Sequence, residues 1–250
     1  MAAHFDGVAE ATGAFKKFFQ NRNWLVALPL LAGQLVAALP VGFLVFAWYV
    51  VIIAQVVAHP DRPPELHYFV AFAVALAFFF LFVIVAVTFA YAWALAAAEP
   101  VWAGADPALE RGFRRASAAF LQLIVFQILI ALLSIASLVI VIGPIIVAIL
   151  AIYGPPYIVL GGRTATQAIG DSFKLASENL GETLILVMAF IVVGASVLVT
   201  LPLWIFVPLG PIAIACIFRS YVVLAVVRFY GLLSPRAGAP PIPIVPETTV

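Results

Sequence analysis

The chain has 250 residues, of which 66% are hydrophobic and only 9% are charged. A soluble domain is about 45–50% apolar and about 25% charged, so this composition excludes a water-soluble globular protein and predicts an integral membrane protein. The formal net charge of +1 argues against nucleic-acid binding, and the single cysteine, Cys216, excludes an intramolecular disulfide.

Six apolar runs are long enough to cross about 30 Å of hydrocarbon, so we predict an all-α polytopic membrane protein with six transmembrane helices. The first run would reach roughly 50 Å as a single helix. Pro40 and Gly42 lie inside it and leave two interpretations: one long, tilted, kinked helix, which we favour, or a re-entrant pair. The predicted spans are about 24–57, 68–98, 119–142, 144–160, 183–207 and 209–230.

The basic residues indicate how these spans are oriented. Between spans, one side of the predicted membrane carries only Arg62, whereas the other side carries nearly all remaining Lys and Arg. The positive-inside rule therefore predicts that both chain termini are cytoplasmic. The basic residues on the predicted cytoplasmic side are Lys16, Lys17, Arg22, Arg111, Arg114, Arg115, Arg163, Lys174, Arg228 and Arg236.

A small residue, a phenylalanine and a basic residue recur before the first, third and fifth spans. An apolar stripe at helical spacing beside each basic residue predicts short amphipathic helices in the membrane interface, at about 8–22, 107–118 and 165–180. The alternative is that these segments simply extend the following spans. We expect three hairpins in a parallel repeat, each preceded by an interfacial helix. The recurring triplets are Ala14-Phe15-Lys16, Gly112-Phe113-Arg114 and Ser172-Phe173-Lys174.

The third of these segments carries a more specific motif. It has the form A-x-x-x-S-F-K-L followed by Asn, made by Ala168, Ser172, Phe173, Lys174, Leu175 and Asn179. The motif resembles the membrane-domain family that is fused to some glycerophosphodiester phosphodiesterases and found in stand-alone prokaryotic membrane proteins. Residues 14–16 with Asn21 or Asn23 fit it too.

This resemblance implies a six-helix membrane domain in a prokaryotic cytoplasmic membrane, with no established activity. The phosphodiesterase activity of the fused proteins is not implied, because the printed sequence has no stretch for their catalytic barrel and its metal-binding carboxylates. The segment after the last span, 234–250, is rich in proline and is expected to be a disordered cytoplasmic tail.

Two groups of basic residues are candidate binding sites. Arg219 lies within the sixth predicted span, and an intramembrane charge usually faces the bundle interior or a water-filled cavity. It either binds a lipid phosphate or another anion, or is a structural arginine satisfied by helix ends, or lies at an interface because the span boundary differs from the predicted one. The basic residues of the interfacial segments are expected to contact anionic lipid headgroups. They are Lys16, Lys17, Arg114, Arg115 and Lys174.

No catalytic, metal or cofactor site is predicted, because the sequence has neither an evident nucleophile–base–acid set nor an HExxH motif. His59 and His67 flank an outer loop with Asp61 and Glu65, which is more typical of an exposed turn than of a metal site. Four glutamines within the spans either line a polar path or, as we favour, form interhelical hydrogen bonds. They are Gln34, Gln55, Gln122 and Gln127.

We therefore expect a non-enzymatic membrane protein that acts as a scaffold, an accessory subunit or a lipid-interacting module of a membrane complex. Its expected partners are anionic membrane lipids and other membrane protein subunits, or further copies of itself. The alternative is a transporter or channel for a lipid-like or small anionic solute, with Arg219 in its path.

Overall fold

The computed structural model describes residues 6–60, 63, 65–204 and 210–234, and within these ranges every regular element is a helix. The predicted all-α class is confirmed there. Almost all of the predicted tail lies outside the described residues, as do Asp61 and Arg62. The α-helices are α1 (Gly7–Phe18), α2 (Ala27–Ala58), α3 (Leu66–Ala98), α4 (Leu109–Ala136), α5 (Gly143–Leu150), α6 (Gly154–Val159), α7 (Ala165–Glu178), α8 (Leu180–Trp204) and α9 (Gly210–Leu233).

Four helical stretches in the described ranges are long and apolar enough to cross a membrane, and a fifth is added if α7 and α8 are counted as one bent span. The α7–α8 pair is bent by 97°. These lengths are compatible with a multi-pass membrane protein. The four stretches are Asn23–Ala58, Leu66–Ala103, Leu109–Val139 and Ile212–Leu233.

The first and fourth predicted spans differ in continuity. α2 is a single helix with Pro40 inside it, rather than a re-entrant pair. The fourth run is instead divided into α5 and α6 by a turn at residues 151–153. Gly154-Pro155-Pro156 opens α6, where proline in the first turn needs no hydrogen-bonded N–H. The segment Gly143–Val159 is consequently shorter than the helices that could cross a membrane.

The three basic segments do not all form separate helices. α1 ends before a turn in which Asn21 has a φ of 49°, a left-handed conformation that asparagine tolerates. α7 begins with a capping box of Thr164 and Gln167 and ends at Asn179. The second segment has no such break, because α4 continues from Leu109 to Ala136. The second segment therefore extends the following span, and the separate interfacial helix predicted at about 107–118 is not formed.

The buried residues are concentrated at one end of the helical bundle, which we call the basal layer. It consists of α1, the C-terminal part of α3, the N-terminal part of α4, α6, α7 and the C-terminal half of α9. In contrast, residues 38–58 of α2 and 66–87 of α3 include no buried residue. The α2–α3 hairpin is therefore packed at its base and exposed along its outer part.

Candidate functional site

The two ends of the described chain meet in the basal layer through an ion pair. Arg228 of α9 donates to both carboxylate oxygens of Glu10 of α1, from Nε at 2.7 Å and from Nη2 at 3.1 Å. The same guanidinium lies 4.9 Å from the ring centroid of Trp102, whose indole N–H donates to Leu224 O at 3.0 Å. Because both charged side chains are largely buried, this contact fixes α1 on α9 more firmly than an exposed pair would.

Two further ion pairs join helices of the basal layer. Arg115 of α4 pairs with Glu99, just beyond α3, and both side chains are about four-fifths buried. Arg163 lies between α6 and α7 and pairs with Asp171 of α7, with Nε and Oδ2 3.2 Å apart. Glu99 therefore forms its ion pair with Arg115 and not with Arg219.

The candidate site residues divide into a paired and an unpaired group. Arg114 pairs with Glu110 in an exposed i,i+4 contact, and Lys174 pairs with Glu178 in the same way. Arg115 is paired with Glu99. Among the described residues, no hydrogen bond or ion pair holds the side chains of the other three candidates. Those three are Lys16, Lys17 and Arg219.

The pairing follows from the sequence around each basic residue. Four residues before Arg114 stands Glu110, and four residues after Lys174 stands Glu178, which are the spacings at which helical side chains meet. The corresponding positions around Lys16 are Thr12 and Gln20, which carry no charge. The positive charge at the C-terminal end of α1 is therefore not compensated within its own helix.

An apolar groove lies beneath this end of α1, and we call it the α1 groove. It consists of two troughs with volumes of about 500 and 440 Å³, bounded by α1, α8 and α9. The troughs share Ala11, Thr12, Val193 and Tyr221, so they form one continuous surface. Lys16 lines the first trough, which connects the unpaired charge to the apolar lining.

Tyr221 of α9 lines both troughs of the α1 groove and contacts α1 and α8. Its ring packs edge-to-face on Phe15 of α1 and on Phe190 of α8, with centroid distances of 6.1 and 5.9 Å. These contacts hold α1, α8 and α9 at fixed separations, because aromatic pairs prefer such edge-to-face geometry. The groove is consequently a feature of the packed framework.

Arg219 is not among the residues that line the α1 groove. It shares one stripe of α9 with Val223, Val226 and Tyr230, at i+4, i+7 and i+11. Those three residues are buried, and the Tyr230 ring packs on Tyr157 of α6 at 4.8 Å. Arg219 is itself half-buried, so it continues a stripe that faces the inside of the bundle.

The depth of Arg219 follows from helix geometry. It precedes Arg228 by nine residues of α9, which corresponds to about 14 Å along the helix axis. If the basal layer lies at the membrane interface, Arg219 is near the middle of a hydrocarbon layer about 30 Å thick. On α9, Arg219 therefore lies away from the Glu10–Arg228 pair. Lys16 of α1, in contrast, lines a trough with Ile217 and Phe218, which precede Arg219 in the chain.

Three of the four glutamines form specific hydrogen bonds between elements. Gln34 Oε1 accepts from Cys216 Sγ at 3.3 Å, which joins α2 to α9. Gln55 Nε2 donates to the Tyr68 hydroxyl at 2.6 Å, which closes the outer part of the α2–α3 hairpin. Gln122 Oε1 accepts from the backbone N–H at the start of α7 at 2.9 Å. These contacts favour interhelical hydrogen bonding over a polar path for the three residues.

The outer loop and the remaining polar groups do not assemble a metal centre in the described ranges, where no group of three or more His, Cys, Asp or Glu is arranged to hold an ion. His67 Nδ1 lies 3.1 Å from Glu65, and its ring packs on Tyr68 with centroids 4.0 Å apart. Asp61, the other carboxylate of the predicted loop, lies outside the described residues.

Several structurally important residues have only a weak sequence signal. Glu10, Glu99 and Trp102 pair with residues that are distant in sequence, so no local pattern predicts their roles. Ser172 has a stronger signal because it belongs to the motif of the third segment. Its fully buried hydroxyl donates to Leu150 O at 2.6 Å and accepts from Tyr153 N at 3.2 Å, which holds α7 against the break between α5 and α6.

The chain matches no protein-family model, and neither curated proteins nor solved structures yield a match. The motif of the third segment nevertheless has a clear physical basis. Ala168, Ser172 and Leu175 are fully buried, Lys174 is exposed, and Asn179 donates from Nδ2 to Leu175 O at 3.0 Å. The small residue of the recurring triplet is likewise buried in the other two segments, at positions 14 and 112.

Proposed function

We propose that this chain is a non-enzymatic integral membrane module that binds other membrane proteins and membrane lipids, as an accessory subunit or scaffold of a larger assembly. The observation that carries the proposal is the outer part of the α2–α3 hairpin. Residues 38–58 and 66–87 are almost entirely apolar and include no buried residue. A surface of this size needs lipid or protein to cover it.

α2 as a whole is longer than the hydrocarbon layer is thick. α2 has 32 residues, and a helix of this length extends about 48 Å. Even at a tilt of about 40°, the upper end of the observed range, it would extend about 37 Å along the membrane normal, against about 30 Å of hydrocarbon. The unburied part, residues 38–58, extends about 32 Å by itself, so the tip reaches the far interface of the hydrocarbon layer, where we place the partner.

Comparison with α9 shows how far the outer end of the α2–α3 hairpin extends beyond its neighbour. At the contact between Gln34 and Cys216, α2 and α9 lie side by side. From there α2 continues about 36 Å to Ala58, whereas α9 extends only about 9 Å back to Gly210. The tip, residues 45–58 and 66–80, is therefore not flanked by α9. It is the surface to which we assign the partner.

The proposal includes a membrane topology. We propose six spans arranged as three hairpins, with α5–α6 as the short fourth span, and α1 and α7 lying in the interface of a prokaryotic cytoplasmic membrane. Both termini are then cytoplasmic. The positive-inside bias supports this orientation, and the pair of Glu10 with Arg228 supports placing both ends of the chain on one side. The resemblance to the membrane domains fused to phosphodiesterases is part of the same proposal.

Photo-crosslinking from matched positions tests the partner role. Benzoylphenylalanine replaces Phe69 at the tip, where the native side chain is 42% exposed, or Phe113 in the basal layer, where it is 46% exposed. After irradiation of intact membranes, we expect protein adducts from position 69 and none from position 113. Native mass spectrometry of the gently extracted complex then gives the stoichiometry and separates a second copy from a different subunit. Lipid adducts alone at position 69 would refute the partner role.

Arg219 favours one second candidate, a transporter or channel for an anionic or lipid-like solute. Its support is a half-buried cation on the inward stripe of α9 that has no acidic partner in the described part of the chain. The test is flux of small anions and of labelled phospholipid in liposomes. Under this candidate Arg219→Leu abolishes flux, whereas Arg219→Lys retains a part of it. The absence of flux in the native protein would exclude it.

A further inference from the structure

We infer that a pocket in the basal layer, which we call the basal pocket, binds a phosphate group, carried by a phospholipid headgroup or by a soluble phosphate compound. The pocket has a volume of about 220 Å³ and lies between α4, α6 and the connection from α6 to α7. Its polar lining comes from Arg115 and Gln122 of α4 and from Arg163, which follows α6. The inference requires no protein partner, and only a lipid as the source of the phosphate rests on the proposed membrane topology.

The space in the pocket follows from the sequence of α4. Arg115, residues 118–119 and Gln122 are spaced at i, i+3, i+4 and i+7, so they lie on one face of the helix. The two residues in the middle are alanines, whose methyl groups leave room between the longer polar side chains. Ala118 and Gly162 are exposed, so the pocket is open to the surroundings at these two residues.

The polar side chains of the lining have hydrogen-bond donors available for a ligand. Gln122 Oε1 accepts from the Ala165 N–H at 2.9 Å, which leaves the Nε2 group as a donor. The Arg163 Nε atom is buried, yet it forms no hydrogen bond within the described part of the chain. Its contact with Asp171 Oδ2 at 3.2 Å is an ion pair without hydrogen-bond geometry. Because a buried donor without an acceptor is unfavourable, oxygen atoms of a bound phosphate would stabilise this arrangement.

The two guanidinium groups are held in place by carboxylates that lie outside the pocket. Arg115 pairs with Glu99 and Arg163 pairs with Asp171, and neither carboxylate belongs to the described lining. A guanidinium has five N–H groups, and the closest contact of each ion pair is made by a single nitrogen. The other N–H groups can bind phosphate oxygens in the bidentate manner typical of arginine. The lining therefore selects an oxyanion over a neutral ligand.

The depth of the pocket suits a lipid headgroup. Arg115 contacts Glu99, which lies just beyond the end of α3, and a Cβ atom at Gly161 would lie 3.1 Å from the Tyr230 hydroxyl oxygen. Tyr230 is eleven residues beyond Arg219, or about 17 Å along α9. The pocket therefore lies where α3 and α9 end, and not at the depth of Arg219. In the proposed topology this end of the bundle is the cytoplasmic interface, where lipid phosphates lie.

Gln122→Glu is the most specific test, because it changes the pocket and keeps the hydrogen bond on which the fold depends. Glutamate retains an oxygen for the Ala165 N–H, but it replaces the Nε2 donor by a negative charge within the lining. We expect phosphate binding to weaken by at least about tenfold, with no loss of thermal stability. Gln167→Glu is the control, since it adds the same charge outside the pocket, in a capping box that also accepts glutamate.

Binding is measured on the purified full chain in detergent after removal of bound lipid, with two probes. Phosphatidylglycerol is titrated and counted by native mass spectrometry, with diacylglycerol as the matched lipid without phosphate. Inorganic phosphate is titrated against chloride at equal ionic strength, with the melting temperature as the readout. Binding of phosphatidylglycerol that Gln122→Glu abolishes identifies a lipid headgroup as the ligand if inorganic phosphate has no effect. A rise in melting temperature with inorganic phosphate that Gln122→Glu abolishes identifies a soluble phosphate compound if the lipid does not bind, and both sources if it does.

The charge of the lining is tested separately. Arg163→Gln removes one guanidinium and should weaken phosphate binding by at least about tenfold. Arg114→Gln is its control, because Arg114 is exposed and pairs with Glu110 on the surface of α4. Arg219→Leu should also leave this binding unchanged. An effect of phosphate that persists in Arg219→Leu and disappears in Arg163→Gln therefore belongs to the basal pocket.

A further variant fills the pocket without changing its charge. Ala118 is an exposed residue of the lining, so Ala118→Phe is expected to exclude the phosphate from either source. Ala131→Phe is the matched control, because it places the same side chain at an exposed position of α4 outside the pocket. Full binding in Ala118→Phe would contradict the site.

The outcome that overturns the inference is distinct from failure of the proposed function. Binding of neither probe to the native chain, or equal effects of Gln122→Glu and Gln167→Glu, would overturn the phosphate site. Partner binding is read from adducts at position 69 in intact membranes, so those adducts would remain. Loss of the adducts with phosphate binding intact would overturn the partner role alone.

Discussion

Glu10 and Arg228 are 218 positions apart in the sequence and form a two-point ion pair between the first helix and the last. The pair lies in the basal layer beside Trp102, whose ring faces the guanidinium. It therefore makes the position of α1, and with it the α1 groove, depend on α9. A helix that lay in the interface without such a contact would be free to move relative to the spans.

Glu10→Ala is expected to destabilise the protein by about 1–3 kcal/mol, because it leaves the largely buried Arg228 guanidinium without its charged acceptor. Glu110→Ala is the matched control. Its pair with Arg114 has both side chains about 80% exposed, and such surface pairs contribute little. Thermal unfolding in detergent compares the two. Equal melting temperatures would mean that the pair does not hold α1 in place.

Gly33→Ala should destabilise the crossing of α2 and α3. A Cβ atom at position 33 would lie 2.3 Å from the Cβ atom of Ala90 and 3.3 Å from Ala86 O. Overpacking of this kind costs about 1–3 kcal/mol. Small residues allow such close approach between membrane helices. The measurement is the free energy of unfolding in mixed detergent.

Gly42→Ala on the same helix is the control, because no atom lies within 4 Å of a Cβ atom built there. Alanine is preferred to glycine in a helix by about 1 kcal/mol, so this change should be neutral or stabilising. The double variant Gly33→Ala, Ala90→Gly should recover part of the lost stability by removing the facing methyl group. Equal effects at positions 33 and 42 would contradict the close approach.

Ser172→Ala removes one hydroxyl that serves two backbone groups, the carbonyl of Leu150 and the N–H of Tyr153. Both groups would be left unsatisfied in a buried place, at a cost of about 1–3 kcal/mol. Ser177→Ala on the same helix should change stability by less than about 0.5 kcal/mol, because the hydroxyl is exposed and bonds only to Lys174 O. Hydrogen exchange adds a local readout, since the Tyr153 amide should lose protection only in the first variant.

The sequence was sufficient to predict the helical class and the four or five long apolar helices of the described residues, but not where the basic segments separate from them. Asn21 and Asn179 mark the breaks after α1 and α7, and asparagine accepts such conformations readily. The second segment has residues 116–119, Ala-Ser-Ala-Ala, at the corresponding place, and these allow the helix to continue. The apolar stripe has the same 3.6-residue periodicity in the segments that end at a break and in the segment that continues, so periodicity alone does not locate the break.

The candidate site was predicted in part. Composition and position identified the basic residues, yet they did not indicate which of them remain unpaired. The partners of Arg115 and Arg228 lie 16 and 218 positions away, and only the packed fold brings them together. The groove beside Lys16 depends in the same way on α8 and α9, which no local pattern places under α1.

Arg219→Leu is expected to stabilise the isolated protein. A charge within the hydrocarbon region costs up to about 3 kcal/mol on insertion scales, and no ion pair offsets it among the described residues. Leucine would extend the apolar stripe formed by Val223 and Val226. The measurement is the melting temperature in detergent, with Arg219→Lys as the variant that keeps the charge.

The sign of this change distinguishes the two functions. If Arg219 has only a structural role in a partner-binding module, Arg219→Leu raises the melting temperature and leaves the adducts at position 69 intact. If Arg219 binds an anion, an anionic solute should raise the melting temperature of the native protein and of Arg219→Lys, and should have no effect on Arg219→Leu. A lower melting temperature for Arg219→Leu without any added solute would instead indicate that the guanidinium holds helices together through their backbone carbonyls.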